Sequence, residues 1–77
     1  MSIEEYSKEK LWSILVETVH ALVLYPNHRA YTRNTVLPEK PETSPAELAA
    51  KLGMPLGEAL VILHELTKER NTKSDGS

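Results

Sequence analysis

The chain has no cysteine. That removes a disulfide framework, a thiol nucleophile and any thiolate metal site, and it fits a reducing compartment. Glycine is scarce. Gly53, Gly57 and Gly76 are its only three, so no glycine-rich loop can cradle a phosphate. Neither sign of charge prevails: 11 acidic and 9 basic side chains leave a net −2 with the histidines neutral. That balance gives no global attraction to nucleic acid or to an anionic membrane. No apolar run is long enough to span a bilayer, and the opening MSIEEYSKEK is acidic and polar, unlike a secretory leader. These features predict a soluble, cytoplasmic protein with no membrane partner. At 77 residues it makes one small domain, drawn here over residues 1–70, with 71–77 (NTKSDGS) as a polar, disordered tail.

What is present concentrates in SPAELAAKLGMPLGEALVILHEL, residues 44–66. Ser44 can cap a helix by accepting from backbone N–H groups that lack a partner inside it. Pro45 suits the first helical position, and Glu47 completes a capping box. Gly53 supplies the left-handed turn that ends this helix. Met54 can plug the core at the turn, and Pro55 starts a second helix. Leu56, Ala59, Leu63 and Leu66 then recur at near-helical spacing. The stretch reads as a helix-turn-helix.

Glu47-Leu48-Ala49, Leu52-Gly53-Met54 and the spaced Ala59, Leu63 and Leu66 resemble the helix-turn-helix of the winged-helix superfamily over about a third of the chain. The resemblance implies a DNA-binding fold whose second helix reads the major groove. A wing would need two strands after that helix, and the short polar tail leaves the wing absent or minimal. The groove-facing positions implied are Leu56, Gly57, Glu58, Leu60, Val61, His64 and Glu65. None is Arg, Lys, Asn or Gln, the usual partners of guanine and adenine edges. Glu58 and Glu65 would repel phosphates. That side is expected to meet protein: the first helix, a second copy or a partner.

The first half reads as one long helix. Ser2 with Glu5 gives a second capping-box signature, and helical spacing runs to about Tyr25, where Pro26 and Asn27 stop it. One face carries Leu11, Ile14, Leu15, Thr18 and Leu22; another carries Trp12, Val16, Val19 and Val23. Together they exceed the single stripe of a surface helix. One face can cover the helix-turn-helix. A small monomer buries only about 60% of its unfolded surface, so a symmetric dimer is the simplest cover for the other. The alternative is that Tyr25, Val36, Leu37 and the following loop fold back over it. The expected protein interface comprises Trp12, Val16, Val19 and Val23 with Leu56, Leu60 and Val61.

Residues 26–43 read as a long connecting loop. Tyr31, Thr32, Thr35 and Val36 favour extended backbone, so a short strand within 30–37 is an open alternative. Pro38 and Pro41 stiffen the approach to the capped helix. His28, Arg29 and Arg33, with Tyr31 interleaved, are the local basic cluster. Arg29, Tyr31 and Arg33 are the nucleic-acid candidates, the arginines gripping phosphates and the ring stacking on a base. The bland alternative is arginines paired with nearby glutamates.

Chemistry is otherwise thinly signalled. His20, His28 and His64 lack close ligand spacing, no motif frames a nucleophile, and a chain of 8.6 kDa has little room for a walled pocket. No enzyme activity, cofactor, metal or small-molecule substrate is expected. The sequence therefore predicts an all-α fold with room for one short strand: three helices, the long N-terminal one plus the helix-turn-helix. The expected function is a homodimeric protein-interaction module. The alternative is a small DNA-binding transcriptional regulator contacting phosphates through residues 28–33.

Overall fold

The computed structural model describes residues 7–76, with side chains through residue 69. The Ser2–Glu5 cap lies outside the described residues. The fold is all-α: α1 (Lys8–His20), α2 (Tyr25–Tyr31) continuing through a π-helical stretch (Thr32–Val36) into α3 (Leu37–Glu39), then α4 (Pro45–Leu52) and α5 (Leu56–Gly76). There is no strand among the described residues.

α1 begins where the Ser7 hydroxyl accepts from the Lys10 backbone N–H at 3.1 Å. It ends at His20, earlier than its periodicity suggests. Pro26 explains the early stop. Its ring would crowd the carbonyl four residues back, and it has no N–H to donate. The chain therefore unwinds over 21–24 through tight turns, Leu22 N–H to Val19 O and Tyr25 N–H to Leu22 O. Pro26 then occupies the first turn of α2, where a missing N–H costs nothing. The proline expected to stop a helix in fact starts one.

The expected loop or strand over 26–43 is mostly helix. Thr32 and Val36, read as strand-formers, are buried. The Thr32 hydroxyl donates to the His28 carbonyl at 2.7 Å, a local bond that lets threonine sit inside a helix. Pro38 sits just beyond the π turn. The wider π register ahead of it relieves the clash a proline would make with the carbonyl of Asn34. Tertiary packing overrides the extended propensity here.

The α4–α5 region matches its local signals. Ser44 Oγ accepts from Glu47 N–H at 3.2 Å, and Glu47 Oε1 accepts from Ser44 N–H at 3.0 Å. Lys40 bonds the same carboxylate. That contact, with the Ser44 bonds, pulls the Glu47 carboxyl down to about 2. Gly53 takes φ +71°, the left-handed turn that glycine adopts without strain. The helix of α5 continues to Gly76, through the segment expected to be a disordered tail.

The core lies between α3, α4 and α5: Val36, Leu48, Met54, Ala59, Ile62 and Leu66 are buried together, with Tyr25, Leu37 and Leu63 packed against them. The fold-back of Tyr25, Val36 and Leu37 thus occurs, but onto α4 and α5. α1 lies against α5 and touches α2.

Candidate functional site

α5 organises everything around it: of the positions the winged-helix resemblance would aim at DNA, Gly57, Glu58, His64 and Glu65 meet α1 or α2, while Leu56 and Leu60 stay exposed. Leu15 of α1 reaches Gly57 so closely that a Cβ there would stand 3.1 Å from its Cδ1. Trp12 meets His64 edge-on, with ring centroids 4.9 Å apart at 71°. Val61 is buried, and so is Val19 from α1. The faces of α1 are therefore exchanged relative to expectation. Trp12, Val16 and Val19 turn toward their own chain, while Leu11, Ile14 and Leu22 are left at the surface. Periodicity cannot choose between two apolar stripes on one helix. Leu15, from the stripe that is otherwise exposed, also packs on Gly57, so the face of α1 turned toward α5 straddles the two stripes.

Val19 and Val61 are thus core residues, and neither forms an exposed contact surface. Trp12 and Val16 are half-buried against α5. Val23 stands 90% exposed in the break after α1. Leu56 and Leu60 remain 58% and 40% exposed, joined by Ile14 at 44% and Leu11 at 38%. Leu11 lies one turn before Leu15, and Leu60 one turn beyond Gly57. Leu11 and Ile14 of α1 and Leu56 and Leu60 of α5 are thus the large apolar side chains that these two helices leave exposed.

A second feature runs down α5. Glu58, Glu65 and Glu69 are spaced by seven and four residues, which aligns them on one face. Facing them is α2, which carries Tyr25, His28 and Arg29. The nearly buried Glu58 carboxylate lies 2.6 Å from His28 Nδ1. Glu65 receives the Tyr25 hydroxyl at 2.5 Å and His20 Nε2 at 2.7 Å. Arg29 donates to Glu69 at 3.0 Å, and Arg33 comes within 3.9 Å of the same carboxylate. The nucleic-acid candidates Arg29 and Arg33 thus have their charges answered within the chain, while Tyr31 is exposed.

These contacts set the proton affinities. Burial, then the bond to Glu65 and its charge, push the Tyr25 phenol up from 10 to about 12. Burial alone would raise the Glu65 carboxyl, but the bonds from Tyr25 and His20 outweigh it and hold the group below its ordinary value. Burial would likewise lower the Arg29 guanidinium, and the contacts with Glu69, Tyr25 and Glu65 raise it instead.

The carboxylate stripe was overlooked in the sequence, where acidic residues on α5 read only as phosphate-repelling. The seven-plus-four spacing was the available signal. Open grooves of about 430 Å³ and 410 Å³ flank it, the first lined by Trp12, Val16, His64 and Lys68, the second by Tyr25, Pro26 and Ala30. No group of three or more metal-ligating side chains converges among the described residues. No described helix is long and apolar enough to cross a membrane. No protein family, curated protein or solved structure is significantly similar to this chain.

Proposed function

We propose that this chain is a small, non-enzymatic, helix-turn-helix-like module of the cytoplasm whose work is to bind protein. The observation that carries the reading is a contrast on α5. Of the positions suited to a DNA groove, Gly57, Glu58, His64 and Glu65 are taken up by Trp12 and Leu15 of α1 and by Tyr25 and His28 of α2. Leu11 and Ile14 of α1 and Leu56 and Leu60 of α5 stay in water. Single exposed apolar residues are ordinary, but four large ones on two packed helices favour an interaction surface. Phosphate contact through Arg29 and Arg33 would first have to break their pairing with Glu65 and Glu69.

Sedimentation equilibrium combined with binding of an apolar dye, anilinonaphthalene sulfonate, tests the reading. The expected result is either self-association or a monomer that binds the dye in a manner abolished by Leu60→Glu. A monomer that binds no dye would overturn it.

A further inference from the structure

α2 is joined to the molecule in a different way from α4 and α5. Those two share the apolar core, whereas α2 has no fully buried residue. Tyr25 packs at the edge of that core. The side-chain contacts of α2 with α5 are Tyr25 with Glu65, His28 with Glu58, and Arg29 with Glu65 and Glu69. Ahead of α2 lie the exposed turns of residues 21–24, and beyond it Thr32 and Val36 are buried. α2 is thus a short arm, anchored at its far end and preceded by a turn. Segments with so little apolar burial are those that open locally while the rest of a fold stays closed.

His20 and His28 stand on either side of that turn. Each meets a carboxylate of α5, His20 with Glu65 at 2.7 Å and His28 with Glu58 at 2.6 Å. We propose that the two imidazoles form a proton-operated latch: charged, they hold α2 and the end of α1 against α5, and neutral, they let the arm open about the turn at 21–24. The latch is a property of the single chain and is independent of any partner.

The groups around the imidazoles set the direction of the response. His28 faces Glu58 from α5. His20 faces Glu65 from α5 and the Tyr25 ring from α2, with ring centroids 4.8 Å apart. Glu65 also receives the Tyr25 hydroxyl and lies near Arg29, and Glu69 holds Arg29 and Arg33. His64 is turned to Trp12 of α1, and Glu17 stands exposed one turn ahead of His20 on α1 itself. The Tyr25 phenol stands at about 12, the Arg29 guanidinium is raised and the Glu65 carboxyl is held low. None of those three changes charge between roughly pH 5 and 8, where histidine ordinarily does. A neutral imidazole still donates one hydrogen bond, so the contact weakens without vanishing. What goes is the charge opposite Glu58, a carboxylate 3% exposed and costly to leave unanswered. Lifting α2 returns that carboxylate to water. The closed form therefore holds protons more tightly, and linkage favours the open form as pH rises.

Native-state amide exchange of the full chain at about pH 6 and pH 8, corrected for the intrinsic rate at each, reads how often every amide opens. Amides of residues 28–31 should open more often than those of Leu48 and Ile62 at both values. They should open about 5- to 50-fold more at the higher value, the combined worth of one exposed and one buried ion pair. His20→Gln with His28→Gln keeps a donor at each site and has no charge to lose, so the ratio should fall to within about twofold of one. His20→Gln alone, at the more exposed pair, should lower the ratio about 2- to 5-fold and serves if the double variant does not fold.

A wild-type ratio within about twofold of one overturns the latch. So does a ratio that survives both substitutions, since another group would then carry the proton. Amides of α2 that open no more often than Ile62 overturn the hinged arm.

Discussion

The carboxylate of Glu58 stands 2.6 Å from Nδ1 of His28, and its side chain is only 3% exposed. This bond ties α2 to the first turn of α5. The positive end of the α5 dipole also favours a negative charge at Glu58. Neither contribution compensates for the other if one is lost, because a buried charge without its partner is far costlier than a surface one.

His28→Ala should therefore destabilise the fold by about 3 kcal/mol, as expected for breaking one side of a buried pair. Replacing both partners by aliphatic residues, His28→Leu with Glu58→Leu, should recover most of that loss, since no orphaned charge remains. Urea denaturation followed by circular dichroism measures both. If His28→Ala costs under about 1 kcal/mol, the pair is not the clamp described here.

Gly57 makes a separate prediction about how α1 is held. A bare Cβ there would come within 3.1 Å of Leu15 Cδ1, the end of a flexible side chain that must shift by a few tenths of an ångström to admit it. Alanine gains up to about 1 kcal/mol of helix propensity and gives most of it back by displacing Leu15, for a net change near zero. Valine adds branches that Leu15 cannot avoid. Gly57→Val should cost about 1–3 kcal/mol and shift the emission of Trp12, the chain's one tryptophan, as α1 lifts from α5. Unchanged fluorescence with unchanged stability would mean that α1 is not seated on Gly57.

How far the fold could be read in advance depended on how local each signal is. Ser44, Glu47, Gly53 and Met54 act within a few residues of one another, so the capped helix and its turn were legible. The orientation of α1 was not, because it depends on contacts with Gly57 and His64, over forty residues away. The helix over residues 32–36 was masked by threonine, valine and proline, whose preferences are extended or helix-breaking. Burial of Thr32 and Val36 against the rest of the fold reverses that preference. The exposed Leu56 and Leu60 were foreseen as surface, whereas Val61 was misplaced. It stands beside Leu60 in sequence, but the 100° step of a helix turns it inward.

Tyr25 and Glu65 predict opposite pH responses from one contact. The Tyr25 phenol is raised to about 12 in the folded chain from an ordinary 10, so the folded form holds that proton more tightly. Its contribution is whole below about pH 10 and is lost as pH rises through the folded value. Glu65 is held below its ordinary carboxyl value, so its contribution is whole above the unfolded value and lost as pH falls through the folded one. Ultraviolet titration should show one tyrosine ionising near pH 12, and Tyr25→Phe should remove that step. Glu65→Gln should flatten the acid limb of stability against pH. A tyrosine titration uniform near 10 would contradict the Tyr25–Glu65 bond.

The arginines give the sharpest division between the two functions considered for this chain. Arg29 and Arg33 carry the basic cluster, yet Glu69 lies within salt-bridge distance of both, and Glu65 of Arg29. Binding a phosphate would exchange one anion for another while bringing Glu65 and Glu69 against the duplex backbone, and the repulsion offsets much of the gain. Wild-type chain should therefore show no retention on mixed-sequence duplex at about 50 mM salt, where electrostatic binding is strong. Glu65→Gln with Glu69→Gln removes two negative charges from that surface and should produce weak binding that disappears by about 200 mM salt. Arg29→Ala with Arg33→Ala, placed on that background, should abolish it. If instead the wild type binds duplex with a steep salt slope and loses that binding on Arg29→Ala with Arg33→Ala, the glutamates do not restrain the arginines. The protein-binding reading of the α1–α5 surface would then yield to DNA contact through residues 28–33.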